Sequence, residues 1–310
     1  MGQKGPALTS KLRHGCPLWL PLSLPQLRLQ SLASLDLQIC SAHSPRVDLA
    51  QCIALLPAGT GTQTLSNSLR KAAPTGLHFG HDHDVRIPPM STGSRRCYIM
   101  SVREPVARFE SGWRRAVLER HNLEMEGVFH SLPRAITSAS EWVRALRDPK
   151  HAAHASAMRN YYSSVAWPPS AKDVGQAGLG QLGRFGGNNF LVSQRDLLRN
   201  ANCTADELHF ICAETMEDDW RRLMATFGQP DANLEHANDR LSKASAVAIN
   251  ASTLGDEEAA FMRECLYPWD VALHSKVCRP GGSSHQHVHL GTTKYSRVTM
   301  ATDSIKKTGI

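Results

Sequence analysis

The sequence predicts an α/β protein, a single domain in which a doubly wound parallel sheet is flanked by helices. Short apolar runs bounded by turn formers alternate along the chain with longer stretches of helical periodicity, the pattern of strands joined by crossover helices. One of these runs passes through a Gly/Thr turn directly into a helix, and another ends on an arginine. In such sheets ligands bind beyond the carboxyl ends of the strands.

Four runs read as strands: "CIALLP" (52–57), "CYIMSV" (97–102), "NFLVSQ" (189–194) and "LHFICA" (208–213). Helices are expected over 62–73, 105–121, 135–147, 151–162, 214–227 and 256–277. Segment 167–189 is rich in Gly and polar residues and reads as a long surface loop bordering an acceptor site. Its formal G-x-G-x-x-G, Gly178 to Gly183, lacks the preceding strand and following helix that a dinucleotide fingerprint needs. The domain is expected over 48–280, between a basic leader (1–47) and a tail (281–310) that both read as disordered.

Composition narrows the function classes. The chain has 310 residues, 41% hydrophobic and 20% charged, and a net charge of +7. The excess lies at the ends: Lys4, Lys11, Arg13 and Arg28 stand without an acid in residues 1–35, and Lys294, Arg297, Lys306 and Lys307 face only Asp303 after 280. A body with balanced charge disfavours nucleic acid as a partner. No run reaches the ~20 apolar residues of a membrane span, "CPLWLPLSLPQL" being short and broken by prolines. The eight cysteines show no C-x-x-C or zinc spacing and read as too sparse for a disulfide framework. Two Asn-x-Ser/Thr triplets, at Asn202 and Asn250, permit a lumenal location, and the acid-poor leader suits an organellar transit segment.

Two segments carry anion-binding chemistry. In "PAGTGTQTL" a strand enters a helix through Gly59, Thr60, Gly61, Thr62, Gln63 and Thr64. Such a turn aims backbone N–H groups and a helix dipole at one spot, and the threonine hydroxyls add donors, although an ordinary turn with Thr capping has the same composition. In "VREPVARFESGW", Pro105 opens a helix whose apolar stripe is Val106, Phe109, Trp113 and Val117. Ser111 lies nearly opposite that stripe, so Arg103 at the strand exit and Ser111 can converge on one anion, with Gly112 leaving room for close approach. No Lys follows Gly61, so a Walker nucleotide loop and a P-loop-like nucleotide kinase are disfavoured alternatives.

Together these segments resemble the two sulfate-donor motifs of sulfotransferases, particularly the Golgi-type carbohydrate sulfotransferases and their algal and bacterial relatives. "LVSQ", "FICAETMEDDWRRLMATFG" and "LYPWDVALHSKVC" are similar to later parts of that family, so the resemblance covers about residues 50 to 278. It implies a P-loop-NTPase-like sheet and 3′-phosphoadenosine-5′-phosphosulfate (PAPS) as co-substrate, with no metal. The Gly/Thr loop would hold the 5′-phosphosulfate, and Arg103 with Ser111 the 3′-phosphate. The acceptor would be a hydroxyl of a carbohydrate or similar molecule, and the setting a Golgi lumen or organelle rather than cytoplasm. His81 and His83 of "LHFGHDHDVRIPP" resemble the His-x-His of uronyl-type members; His83 is the first choice as base, and a metal site or a polar loop are the competing readings. One position departs from the family: Gly59 stands where the family loop commonly carries Lys or Arg. Arg70, Lys71 and Arg86 are the candidate substitutes, and a non-catalytic PAP or PAPS binder is the alternative.

Overall fold

The computed structural model describes residues 16, 38–40, 48–57, 59–73, 78–79, 96–121, 136–165, 189–198, 206–236, 246–278 and 287–289. Its centre is a parallel sheet of three strands, β2 (Cys52–Leu55), β4 (Arg96–Val102) and β5 (Asp206–Cys212), joined at one edge by the two-residue β3 (His78–Phe79). The order β3-β2-β4-β5 is parallel throughout, with Cys52 opposite Cys97 and Arg96 opposite Asp206. β1 (Gln38–Cys40) and β6 (His287–His289) form a separate antiparallel ribbon.

Alternation along the strands feeds two cores. Tyr98, Met100 and Val102 of β4 join Leu208, Phe210 and Cys212 of β5 on one face, covered by α5 (Gln194–Leu197) and α9 (Pro268–Val277) through Leu197, Leu273 and Val277. Cys52, Ala54, Cys97, Ile99 and Ile211 point to the other face, under Leu65 and Leu69 of α1 (Thr62–Ala72) and Trp220, Leu223 and Met224 of α6 (Met216–Thr226). Burial on both faces is the environment that makes a parallel strand an unbroken apolar run. A third core is built mainly by helices. There Phe109 and Trp113 of α2 (Pro105–His121) meet Trp142 of α3 (Ala139–Arg147), with α4 (His154–Val165), α7 (Ala246–Ser252) and α8 (Asp256–Phe261) around them.

Several expectations are corrected. Residues 189–194 form no strand: Asn189–Leu191 is a 3-10 turn and α5 begins at Gln194. The run is apolar because it bridges two cores, Phe190 and Leu191 entering the helical one and Val192 the sheet core. The helix expected over 256–277 is interrupted. The Tyr267 amide donates to Met262 O at 2.8 Å, a five-residue π turn over Met262–Leu266, and Pro268 starts the next helix.

Among the described residues six of the eight cysteines are paired, as Cys16–Cys265, Cys52–Cys97 and Cys212–Cys278, against the expectation of no disulfide framework. The pairing is long-range in sequence and so leaves no local spacing. Cys16 and the β1–β6 ribbon lie within the segments expected as leader and tail. No helix among the described residues is long and apolar enough to cross a membrane.

Candidate functional site

Topology fixes where a ligand site should lie. From β2 the chain crosses to β3 on one side and then returns to β4 on the other, so the direction of winding reverses between β2 and β4. The crevice outside the carboxyl ends of such a strand pair is the preferred binding place of open α/β sheets. Both singled-out segments leave the sheet there: the Gly/Thr turn follows β2 and Arg103 follows β4.

The turn is held by its own side chains. Gly59 and Gly61 adopt φ of 83° and 79°, a left-handed conformation that costs glycine little. Between them Thr60 is fully buried; its hydroxyl donates to Pro57 O at 2.6 Å and shares a hydrogen bond with the Ser101 hydroxyl of β4. Thr62 Oγ1 donates to the same carbonyl at 2.9 Å. These two hydroxyls, expected as donors to a ligand, instead fix the turn. The N-terminal N–H groups of α1 are what the turn presents, because Gly61 as N-cap offers no side chain to them. Gln63 is exposed and Thr64 half-buried in this first turn.

Arg103 is pinned at three points. Its amide donates to Gln194 Oε1 at 3.0 Å, its carbonyl accepts from Gln194 Nε2 at 2.8 Å, and its guanidinium Nη1 donates to Gly59 O at 2.8 Å. The last bond brings the strand-exit arginine onto the Gly/Thr turn. Burial pushes the Arg103 pKa down, the Glu214 carboxylate opposes that, and the Arg114 cation adds to it, with Glu110 and Glu104 again opposing. Glu110 and Arg114 flank Ser111 in the sequence of α2.

Ser111 is buried, with 8% of its surface exposed. Gly112 does not open space for a ligand, since a Cβ there would lie 2.3 Å from Phe190 Cγ; the glycine admits the aromatic ring of the helical core. Arg114 donates to Ser252 Oγ at 3.2 Å, and Arg115 is exposed. His81, His83 and Arg86 lie outside the described residues.

Arg70 and Lys71 do not stand in for the loop cation. They occupy the last turn of α1, about 12 Å along the axis from its start at ~1.5 Å per residue, and Lys71 pairs with Glu235. Gly59 itself has no room for a side chain, because a Cβ would meet the Arg108 carbonyl oxygen at 2.7 Å.

Residues not singled out in the sequence support the site from behind. Arg108, 2% exposed, donates to Val192 O at 2.7 Å and lies 3.7 Å from Asp270, which is 0% exposed. Asp270 also accepts from the Ser193 hydroxyl at 2.5 Å and the Gln194 amide at 2.9 Å. A relay therefore runs from α9 through Gln194 to Arg103. On the other side Glu214 accepts from the Glu104 amide at 3.0 Å, while Glu104 bonds the Ala107 amide at 2.8 Å and Arg263 at 2.8 Å. Burial pushes the Glu214 carboxyl up, but the His274 ring and the Glu104 amide outweigh it and hold the group below its ordinary value. Asp219 accepts from the Cys212 amide and the Thr215 hydroxyl, which ties the start of α6 to the end of β5.

No family model matches the chain, and neither curated proteins nor solved structures provide a match.

Proposed function

We propose that this chain is a PAPS-dependent sulfotransferase with a P-loop-NTPase-like sheet, acting on a hydroxyl of a carbohydrate or a similar acceptor. The observation that carries the reading is the hydrogen bond from Arg103 Nη1 to Gly59 O. It joins the two donor-like segments at the switch point of the sheet, where one nucleotide with two phosphate groups can span them. The N–H groups opening α1 receive the 5′-phosphosulfate, and Arg103 with Ser111 the 3′-phosphate. In the transfer step the acceptor oxygen attacks sulfur in line, and the bond from sulfur to the 5′-phosphate oxygen breaks. The acceptor proton passes to His83, with His81 the alternative base. The products are the sulfate ester, 3′,5′-adenosine bisphosphate (PAP) and a proton released from the histidine, and the scheme uses no metal. The three disulfides among the described residues favour an oxidising compartment, in keeping with a Golgi or other lumenal setting.

The test is transfer of labelled sulfate from PAPS to a panel of sugar hydroxyls, with His83→Ala as the control. Transfer that disappears in the variant supports the enzyme. Gly59 favours a second reading, a non-catalytic PAP or PAPS binder, because the loop has no space for the cation that neutralises the leaving phosphate. Stabilisation by PAP without transfer to any acceptor would select it. Magnesium-dependent binding of ATP in place of PAP would select the nucleotide kinase.

A further inference from the structure

β5 ends at Cys212, and two residues later Glu214 turns toward the last turn of α9, where His274 and Cys278 lie four apart on one helix face. One ligand atom each from Glu214, His274 and Cys278 fall within 4.8 Å of one another. Cys212 is bonded to Cys278 and so adjoins the same point. His274 Nε2 is buried and faces the Glu214 carboxylate at 3.3 Å. That separation is the edge length, about 3.3 Å, of a tetrahedron whose nitrogen and oxygen ligands sit ~2.0 Å from a zinc ion.

We propose that reduction of the Cys212–Cys278 disulfide converts this cluster into a zinc site with Cys212, Glu214, His274 and Cys278 as ligands. Two thiols of a small-molecule or protein reductant take up the disulfide, giving two cysteine thiols and the oxidised reductant. Zinc then displaces both thiol protons to solvent, and binds the neutral imidazole through Nε2 and one carboxylate oxygen. Rotation about the two Cα–Cβ bonds separates the sulfurs. A disulfide sulfur is a poor ligand beside a thiolate, so the oxidised chain lacks half of the set and the site is gated by redox state. The Arg103 guanidinium, which interacts with Glu214, offsets the negative charge of two thiolates and a carboxylate around a divalent ion. None of this depends on the sulfotransferase reading.

The full chain, oxidised or reduced without oxygen by a phosphine, is incubated with zinc chloride, freed of loose metal by gel filtration and assayed for bound zinc. Cobalt(II) replaces zinc in parallel, to read thiolate charge-transfer and tetrahedral d–d bands. Because reduction also opens the other disulfides, Cys278→Ser is carried through the same steps. The expected result is about one zinc more per reduced parent chain than per oxidised chain or per reduced Cys278→Ser. His274→Ala should weaken binding by more than the 10–100-fold typical of outer-shell losses. Glu214→Gln, at an exposed position, should weaken it as well and serves if His274→Ala does not fold. A reduced parent chain that takes up no zinc overturns the proposal. So does zinc or cobalt binding that Cys278→Ser and the histidine or glutamate variant leave undiminished.

Discussion

Gly59→Ala is a sharp test of whether the Gly/Thr turn is built as described. At φ of 83° an alanine pays the left-handed penalty of about 1–2 kcal/mol. Its Cβ would also sit 2.7 Å from the Arg108 carbonyl oxygen, a backbone atom fixed within α2 that cannot swing aside. Overpacking of that kind costs about 1–3 kcal/mol. The sum, about 2–5 kcal/mol, is a large part of the 5–15 kcal/mol that holds a typical domain. Urea denaturation followed by far-UV circular dichroism reads the loss as a lowered midpoint. Gly61 supplies the comparison: φ is 79° there too, but the obstacle is Met216 Cε, the end of a flexible side chain. Gly61→Ala should therefore cost nearer the conformational 1–2 kcal/mol alone, and should couple favourably with Met216→Ala in a double-mutant cycle. A Gly59→Ala chain within about 0.5 kcal/mol of the parent, the range of an indifferent surface change, would refute this account of the turn. Gly59→Lys should be at least as destabilised, since this backbone leaves no room for a side chain there.

Other outcomes follow from the same geometry. Asp270→Ala strands the buried Arg108 guanidinium and should cost about 3–5 kcal/mol in urea denaturation, while Arg108→Met combined with Asp270→Leu should recover much of that loss. The Cys52→Ala/Cys97→Ala chain loses a cross-link spanning 45 residues, worth about 4 kcal/mol by chain entropy; an unchanged denaturation midpoint would contradict it. Glu141 accepts from the Thr137 amide and hydroxyl ahead of α3, and the amide bond is the main cause holding its carboxyl below the ordinary value. A depressed folded value means the contribution is present above the unfolded carboxylate pKa of about 4.3 and is lost as pH falls through the folded one. The stability gap between parent and Glu141→Gln should therefore close in acid, and a gap independent of pH would count against that role.

The sheet was legible where local sequence decides it. Cys97 to Val102 is apolar at every position but Ser101, as burial on both faces requires, and its neighbours begin and end within a few residues of their expected bounds. Legibility failed where distant contacts decide. "NFLVSQ" looks like a strand because nothing local shows that Phe190 and Val192 enter different cores, or that Gln194 is consumed by Arg103 and Asp270. Cys52 opens β2 and Cys97 is the second residue of β4, but the register that sets them side by side is tertiary information. At the site, the sequence placed the Gly/Thr turn and Arg103 in one region through the rule for strand carboxyl ends. It could not show that the Thr60 and Thr62 hydroxyls are spent on Pro57, or that Arg108 and Asp270 brace the site from behind. Ser111 was assigned to the side away from the core by helical periodicity; its burial comes from elements that periodicity does not see.

The central claim is that the Gly/Thr turn and Arg103 together hold one nucleotide with phosphates at both ends, and titration with PAP followed by thermal unfolding tests it most directly. The account predicts a midpoint that rises with PAP concentration in the parent chain and stays flat in a folded Arg103→Ala variant. A parent chain that PAP leaves unmoved, or a variant stabilised as much as the parent, would contradict it.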